Sequence, residues 1–378
     1  MNTTGEGNTA IGIGSLSKNS TGSYNTGLGQ LTLNFNTGGN GNFAAGYSSL
    51  YRNTTGSNNF AQGTLSLFSN TTGSNNLAVG NSSLYSNTIG SNNIAIGIES
   101  MLANTSGSNN IAFGSNILKS NTTGSNNFAA GELSMFVNSS GNNNVGIGFN
   151  SLQWNSTGLN NFALGNSSLK NNTTGSDNIS IGFETLLSNT EDNDNIAIGQ
   201  KALRGLIFGS TNIAIGKNAG NGLNFGSNVI VIGADAQPLY NNSSDEITLG
   251  NSSISMLRSA TSTITSLSDR RDKRDIIPIA EGLDFIKQLR PVTFTWDTRD
   301  KAKVGIKSAG FIAQDLLSLQ KASTIGDNLD LVSENNPEKL EARYANLLPV
   351  MVKAMQEQQV LIEQLKLEIE ALKKLVKE

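Results

Sequence analysis

The 378-residue chain carries 26 basic and 29 acidic residues, a formal charge of −3, and neither cysteine nor histidine. Those absences exclude disulfides, the usual zinc sites and any histidine-based triad, and they leave the redox compartment open. The near-balance of charge gives no nucleic-acid footprint, and no run of eighteen apolar residues offers a membrane span.

The stretch NTTGSNNFAAG at Asn121–Gly131 recurs in variants over two thirds of the chain. Stepping by seventeen through Gly131 runs from Gly12, Gly29 and Gly46 to Gly250: fifteen glycines in one register without an insertion. A second glycine keeps step from Gly5 through Gly22 to Gly175, followed by Asp192, Gly209 and Gly226. An asparagine does the same from Asn8 to Asn212. Such a period is the mark of a repeat architecture.

Within each period the core reads N-Φ-A-Φ-G with Φ apolar, as in NIAFG at Asn110–Gly114 and NIAIG at Asn195–Gly199. Alternation flanked by turn formers predicts a short strand. Ile111 and Phe113 then share one face and Ala112 the other. The small row Ala95, Ala112, Ala129 is expected to let another backbone approach closely. A second apolar site, at Leu50, Leu67, Leu84, Leu118 and Leu152, supplies a further inward anchor. The glycine of N-T-T-G is expected to take the positive-φ turn position. One unit cannot bury its apolar face alone, but stacked coils can. At roughly 4.8 Å per strand, fifteen coils make a rod on the order of 70 Å long. Asparagines in register are expected to form a polar ladder. No proline precedes Pro238, as a ladder of paired N–H groups requires. Asn/Ser/Gly-rich sequence is often disordered linker, but disorder needs no fixed apolar register.

This register resembles the head repeats of trimeric autotransporter adhesins, on a somewhat different period, and the repeats of viral and phage tail fibres. The resemblance covers residues 5–250 and implies a left-handed parallel β-roll with three chains side by side. Met1 is followed by NTTGEGN, already in repeat phase. No signal peptide is therefore expected, and a rod starting mid-repeat suggests truncation or direct attachment to a partner.

Composition changes near Asn251. Residues 1–250 carry 7 basic and 11 acidic residues and 37 glycines; residues 251–378 carry 19, 18 and 4. The expected domains are a repeat shaft over 1–250, a Ser/Thr-rich neck over 251–267, a domain over 268–348 and a helix over 349–378. Two motif lookalikes fail: IGKN at Ile215–Asn218 lacks the second glycine and Ser/Thr of a phosphate loop, and the N-x-S/T triplets follow from the repeat itself.

After the neck come SDRRDKRDI at Ser268–Ile276, GLDFIKQLRPVTFTW at Gly282–Trp296, AGFIAQDL at Ala309–Leu316 and YANLLPVMVKAMQE at Tyr344–Glu357. These four blocks, in order over about 110 residues, resemble the intramolecular chaperone that ends phage endosialidases and other tail spikes and cuts itself off after assembly. The resemblance implies Ser268 as nucleophile, Lys273 as general base and a scissile bond between Leu267 and Ser268. In chemical terms, a serine hydroxyl needs an adjacent base, and without histidine lysine is the remaining common choice. The reference lysine pKa of about 10.4 must then fall by several units. Arg270, Arg271 and Arg274 favour that fall, and Asp269 and Asp272 oppose it. Read without the resemblance, Ser268 N-caps a short helix, with Asp269 at its positive end.

From Met355 the apolar spacing Met355, Gln358, Ile362, Leu365, Ile369, Leu372, Val376 alternates steps of three and four, a heptad seam. Ile/Val against Leu leans toward two strands, whereas the β-roll resemblance implies three. The Ala/Gly face and this seam together suggest a parallel homotrimer, with Ile362, Leu365, Ile369 and Leu372 along its axis. The expected fold is therefore a parallel β-roll solenoid of 17-residue repeats followed by an α+β chaperone domain ending in a coiled-coil helix. The expected function is a viral or phage tail-fibre shaft, assembled in the host cytoplasm, with a self-cleaving chaperone. Its expected partners are a virion attachment protein at the N-terminus and a host-surface receptor, with no metal, cofactor, nucleic acid or membrane insertion. The alternative is a bacterial surface adhesin that keeps its C-terminal domain as a trimerising cap. A glycan-cleaving enzyme would want a carboxylate pair, and the repeats place no acid in register.

Overall fold

The computed structural model describes residues 2–376 except 255, 259–267, 300, 302, 335 and 339. Close contacts divide the chain into two compact units, Met1–Asn251 and Ser252–Glu378.

The first unit is a parallel β-solenoid. Fifteen three-residue strands, from β1 (Thr9–Ile11) to β15 (Ile247–Leu249), hydrogen-bond in sequence order as one sheet. Every neighbouring pair is parallel and offset by one period: Ile94 in β6 (Ile94–Ile96) faces Ile111 in β7 (Ile111–Phe113), and Ala95 faces Ala112. Each coil thus templates the next residue for residue.

The alternation fixes two faces, and the coil interior takes the small one. Ala44, Ala61, Ala78, Ala95, Ala112 and Ala129 are fully buried inside the coil. The flanking apolar residues, such as Ile111 and Phe113, form a half-exposed row on the outer face. This corrects the expectation that the alanine row meets another backbone: the alanines pack within their own coil, against Leu50, Leu67, Leu84 and Leu118 in one continuous core. Those leucines lie in the left-handed region, with φ of 50°, 49°, 52° and 46°. An L-residue other than Asn or Asp rarely adopts it, so full burial of the side chain holds the leucine there against a local cost of about 1–3 kcal/mol.

Two asparagine ladders line the same interior. In one, Asn110 donates its backbone N–H to Asn93 Oδ1 at 3.0 Å and its amide to Gly124 O at 2.8 Å. In the other, Asn104 Nδ2 reaches Asn87 Oδ1 at 2.8 Å and Gly107 O at 2.9 Å. Between coils every buried amide therefore finds a partner one period away, as buried polar groups require. The second ladder stops at Asn189, whose amide oxygen and nitrogen are both buried without a partner, as is Asn172 Oδ1. At that coil Asp192 replaces the glycine.

The glycine of N-T-T-G is needed for a different reason from the one expected. Gly124 and Gly141 are not among the positive-φ residues. A Cβ on Gly124 would instead stand 2.5 Å from Gly141 O and 2.8 Å from Asn138 Nδ2. Close stacking of coils excludes a side chain there. The positive φ belongs to the other glycine row, as at Gly97 (136°) and Gly114 (134°).

The second unit is small and α+β. Helix α1 (Leu283–Gln288) precedes the antiparallel pair β16 (Val292–Asp297) and β17 (Val304–Gly310). Helices α2 (Ala313–Ala322) and α3 (Gly326–Leu329) lead to a second pair, β18 (Val332–Ser333) and β19 (Glu341–Ala342), and then to the 28-residue helix α4 (Leu348–Leu375). Phe285, Leu316, Leu331, Val332, Leu347 and Val350 make its core. Glu357 on α4 accepts the Leu283 N–H at 2.7 Å and so fixes the start of α1 against α4. That contact holds the Glu357 carboxyl below the usual carboxylate range, with the Lys353 ammonium contributing less. Among the described residues, no helix is long and apolar enough to cross a membrane.

Candidate functional site

Leu267 lies outside the described residues, so the geometry begins at Ser268. Residues 270–272 form a single 3-10 turn. Its cap is Asp269, not Ser268: the Asp269 carboxylate accepts the Arg271 N–H at 2.8 Å. The same carboxylate holds the Arg271 guanidinium, through Nε at 3.1 Å and Nη2 at 2.6 Å. The Arg271 guanidinium, and then its backbone N–H, keep Asp269 below the ordinary carboxylate range. The Lys273 N–H closes the turn on Arg270 O at 3.2 Å.

The turn reverses the chain, and Lys273 reaches back to the start of it. Lys273 Nζ donates to Ser268 Oγ at 2.6 Å. The two residues assigned from sequence are therefore in direct contact, both exposed. Among the described residues Lys273 makes no ion pair, while Asp269 is engaged by Arg271. A hydroxyl and an amine at this distance can exchange a proton. Nucleophilic use of Oγ needs the reverse polarity, with Oγ–H donating to a neutral amine.

The other three blocks meet one another. Tyr344 Oη accepts the Phe311 N–H at 3.2 Å and donates to Phe311 O at 3.1 Å. Their rings stand edge to face at 5.6 Å. Leu289, Ala309, Phe311, Tyr344 and Met351 share the lining of an apolar cleft of about 520 Å³. The hydrogen bonds of residues 268–275 stay within that segment among the described residues. The Asp269–Arg271 clasp was not foreseen: the charges were visible in the sequence, but their pairing depends on the turn.

Comparison with known families sets this geometry in context. Residues 268–323 match the family model of the chaperone of endosialidase. The match starts on Ser268 itself and includes three of the four blocks; Tyr344–Glu357 lies beyond it. This family, peptidase S74, implies self-cleaving protease activity in general, here placed after a β-solenoid in the chain. No curated protein matches the sequence.

The seam assigned to the C-terminal helix lies on α4. Ile362, Leu365, Ile369 and Leu372 are all exposed along it, while Val350 and Ala354, nearer its start, are buried.

Proposed function

We propose that the chain is a homotrimeric tail-fibre or tail-spike shaft whose C-terminal chaperone aligns three copies and then releases itself between Leu267 and Ser268. The observation that carries this reading is the coincidence at Ser268. The family match begins at the residue whose hydroxyl touches the only lysine of its turn, one residue past the neck of a β-solenoid.

In the proposed reaction Lys273 takes the Ser268 hydroxyl proton and Oγ adds to the Leu267 carbonyl carbon. The Leu267–Ser268 C–N bond breaks as Lys273 returns the proton to the departing nitrogen, leaving Leu267 esterified to Oγ. Water then hydrolyses the ester to a Leu267 carboxylate and a free Ser268 amine. Three exposed apolar features support the trimer: the outer Ile/Phe row of the sheet, the α4 seam and the cleft at Tyr344. An isolated chain leaves all of them wet, and contiguous apolar surface of this kind marks an interaction site. Attachment to the virion and contact with a host receptor belong to the same proposal.

Intact mass and N-terminal sequencing of freshly expressed protein test it. The expected products are 267 and 378 − 267 = 111 residues, the shorter starting Ser-Asp-Arg. Ser268→Ala is expected to stay full length and still assemble, and Lys273→Ala to stall. Cleavage of Ser268→Ala at the same bond would transfer the reaction to an external protease. A stable uncut wild-type trimer would favour an adhesin that retains its cap.

A further inference from the structure

The neck has the length of one coil. Gly250 closes the fifteenth repeat, and Leu267 stands one more period of seventeen downstream. Placed in phase, NSSI at Asn251–Ile254 falls on NSSL at Asn81–Leu84 and again at Asn166–Leu169. Leu257 falls in the row of the buried Leu206 and Leu223. Thr261 follows Ser227 and Ser244, and Ile264-Thr265 repeats Ile247-Thr248. The Ser/Thr-rich composition hides a repeat that has kept its core anchors and lost its glycines.

The described residues show the solenoid ending on an unfilled step. Sheet pairing stops at β15, whose sole neighbour among the described residues is β14 (Ile230–Ile232). Ile247 is 67% exposed, against 41% for Ile232 one coil inward. Leu257 is 77% exposed, although Leu206 and Leu223 in its row are fully buried. Asn251 nevertheless bonds in the coil register, donating Nδ2 to Ala234 O at 3.0 Å, seventeen residues back.

We infer that residues 251–267 form a sixteenth, terminal coil, with Ile264, Thr265 and Ser266 pairing in parallel with Ile247, Thr248 and Leu249. Inner coils supply the pattern. Ile230 donates to Glu246 O, sixteen residues ahead, and Gly233 to Ile215 O, eighteen behind, both at 2.8 Å. Continued once more, Ile247 donates to Thr263 O and Leu267 to Leu249 O. Ser227 donates to Ser244 Oγ at 3.2 Å, and Ser244 to Thr261 Oγ1 is the next such bond. Departures from the consensus fit a last coil. Ser266 replaces the outer apolar residue, and polar atypical repeats are what end repeat arrays. Leu267 replaces the glycine whose Cβ would meet the following coil, as at Gly216 with Gly233 C at 2.6 Å; where no coil follows, a side chain has room. A covered edge also removes a template for unwanted strand pairing.

The coil itself does not depend on cleavage. Only its place as the end of the released fibre rests on the proposed self-release, which would cut at the coil boundary and keep the coil whole. Hydrogen exchange read by mass spectrometry separates the two. In full-length Ser268→Ala protein, amides of residues 262–267 are expected to exchange roughly tenfold or more slower than in a free peptide of that sequence. Thr265→Val, which places in this row the residue that Val231 already supplies, is expected to slow them further. Thr265→Pro, in the same background, is expected to erase that protection and expose the Ile247 amide while β1 to β13 keep theirs. Exchange of 262–267 at the free-peptide rate in folded Ser268→Ala, with no slowing in Thr265→Val, overturns the sixteenth coil. An uncut wild-type chain in the same mass spectra overturns self-release instead and leaves the exchange result readable.

Discussion

Replacing Asn104 by alanine tests how much a rung of the inner ladder contributes. Asn104 is fully buried. It donates to Asn87 Oδ1 and Gly107 O, and its own Oδ1 accepts from Asn121 Nδ2 at 2.7 Å. Alanine removes all three bonds, but the damage is uneven. Gly107 O keeps Asn93 Nδ2 at 2.9 Å, and Asn121 Nδ2 keeps Gly124 O at 3.0 Å. Asn87 Oδ1 loses its only side-chain donor and has no water to replace it. One orphaned buried acceptor costs about 1–3 kcal/mol. With the half-satisfied donor and the small void, the expected loss is about 2–4 kcal/mol. Coils interact with their nearest neighbours, so the loss should stay local. Native-state hydrogen exchange should show amides between Asn87 and Asn121 opening roughly 30-fold to several hundredfold more often, with distant coils unchanged. Asn189→Ala is the control, because the Asn189 amide is buried without partners. Its removal should cost far less or stabilise the coil. Equal effects at the two positions, or a loss under about 0.5 kcal/mol at Asn104, would refute the claim that hydrogen bonds between coils, rather than bulk, give the ladder its strength.

Gly124→Ala should destabilise its coil by about 1–3 kcal/mol or more through overpacking, because the new methyl meets Gly141 O; exchange rates unchanged around Gly124 would count against it. Burial, with Glu191 adding and the Gly209 hydrogen bond opposing, raises Asp192 above its ordinary value. The folded coil therefore takes up the proton first, so its stability should rise as pH falls from neutral toward 3.8, and Asp192→Asn should flatten that profile. Glu357 has the opposite sign: its pKa is lowered, so the α1–α4 tie is present above about pH 4.5 and is lost as pH falls through the folded value. Near-ultraviolet circular dichroism on an acid series, with Glu357→Gln as control, should show that loss.

The period was fully legible in the sequence because each residue's partner is its own equivalent one coil away; the same arithmetic gives both register and strand order. What alternation could not tell was which face turns inward. Ala112 and Ile111 sit on opposite faces whichever way the strand points, and hydrophobicity favours burying the larger. The coil decides otherwise, since its narrow interior is already filled by one leucine and two asparagine rows. The role of Gly124 was hidden for a related reason: a close approach leaves the same residue as a positive φ. At the candidate site, Ser268 and Lys273 were legible by family likeness. The Asp269–Arg271 clasp was not, because a run of alternating charges allows several pairings and the 3-10 turn selects one.

The exposure of Ser268 and Lys273 makes the last prediction. A lysine amine in water is protonated at neutral pH and cannot take a hydroxyl proton, so proximity at 2.6 Å is not enough for the proposed reaction. The amine must be stripped of water, and burial is the means that disfavours the charged form. Nothing in the segment itself supplies burial: its hydrogen bonds are internal, and the nearest carboxylate is already clasped by Arg271. Clasping matters, because a free Asp269 carboxylate beside the amine would hold the proton on it. On the proposed reading the missing cover comes from the other two chains, and cleavage should therefore follow trimer formation. Charging the α4 seam with Leu365→Asp and Ile369→Asp should keep the chain monomeric and leave it uncut at 267/268. The wild-type chain should be cut with a rate that rises with concentration during refolding and becomes first order once trimers have formed. Light scattering gives the assembly state and mass spectrometry the cut fraction in the same samples. Monomers that cleave as fast as trimers would show that the exposed pair is sufficient by itself, and the link between assembly and release would be lost.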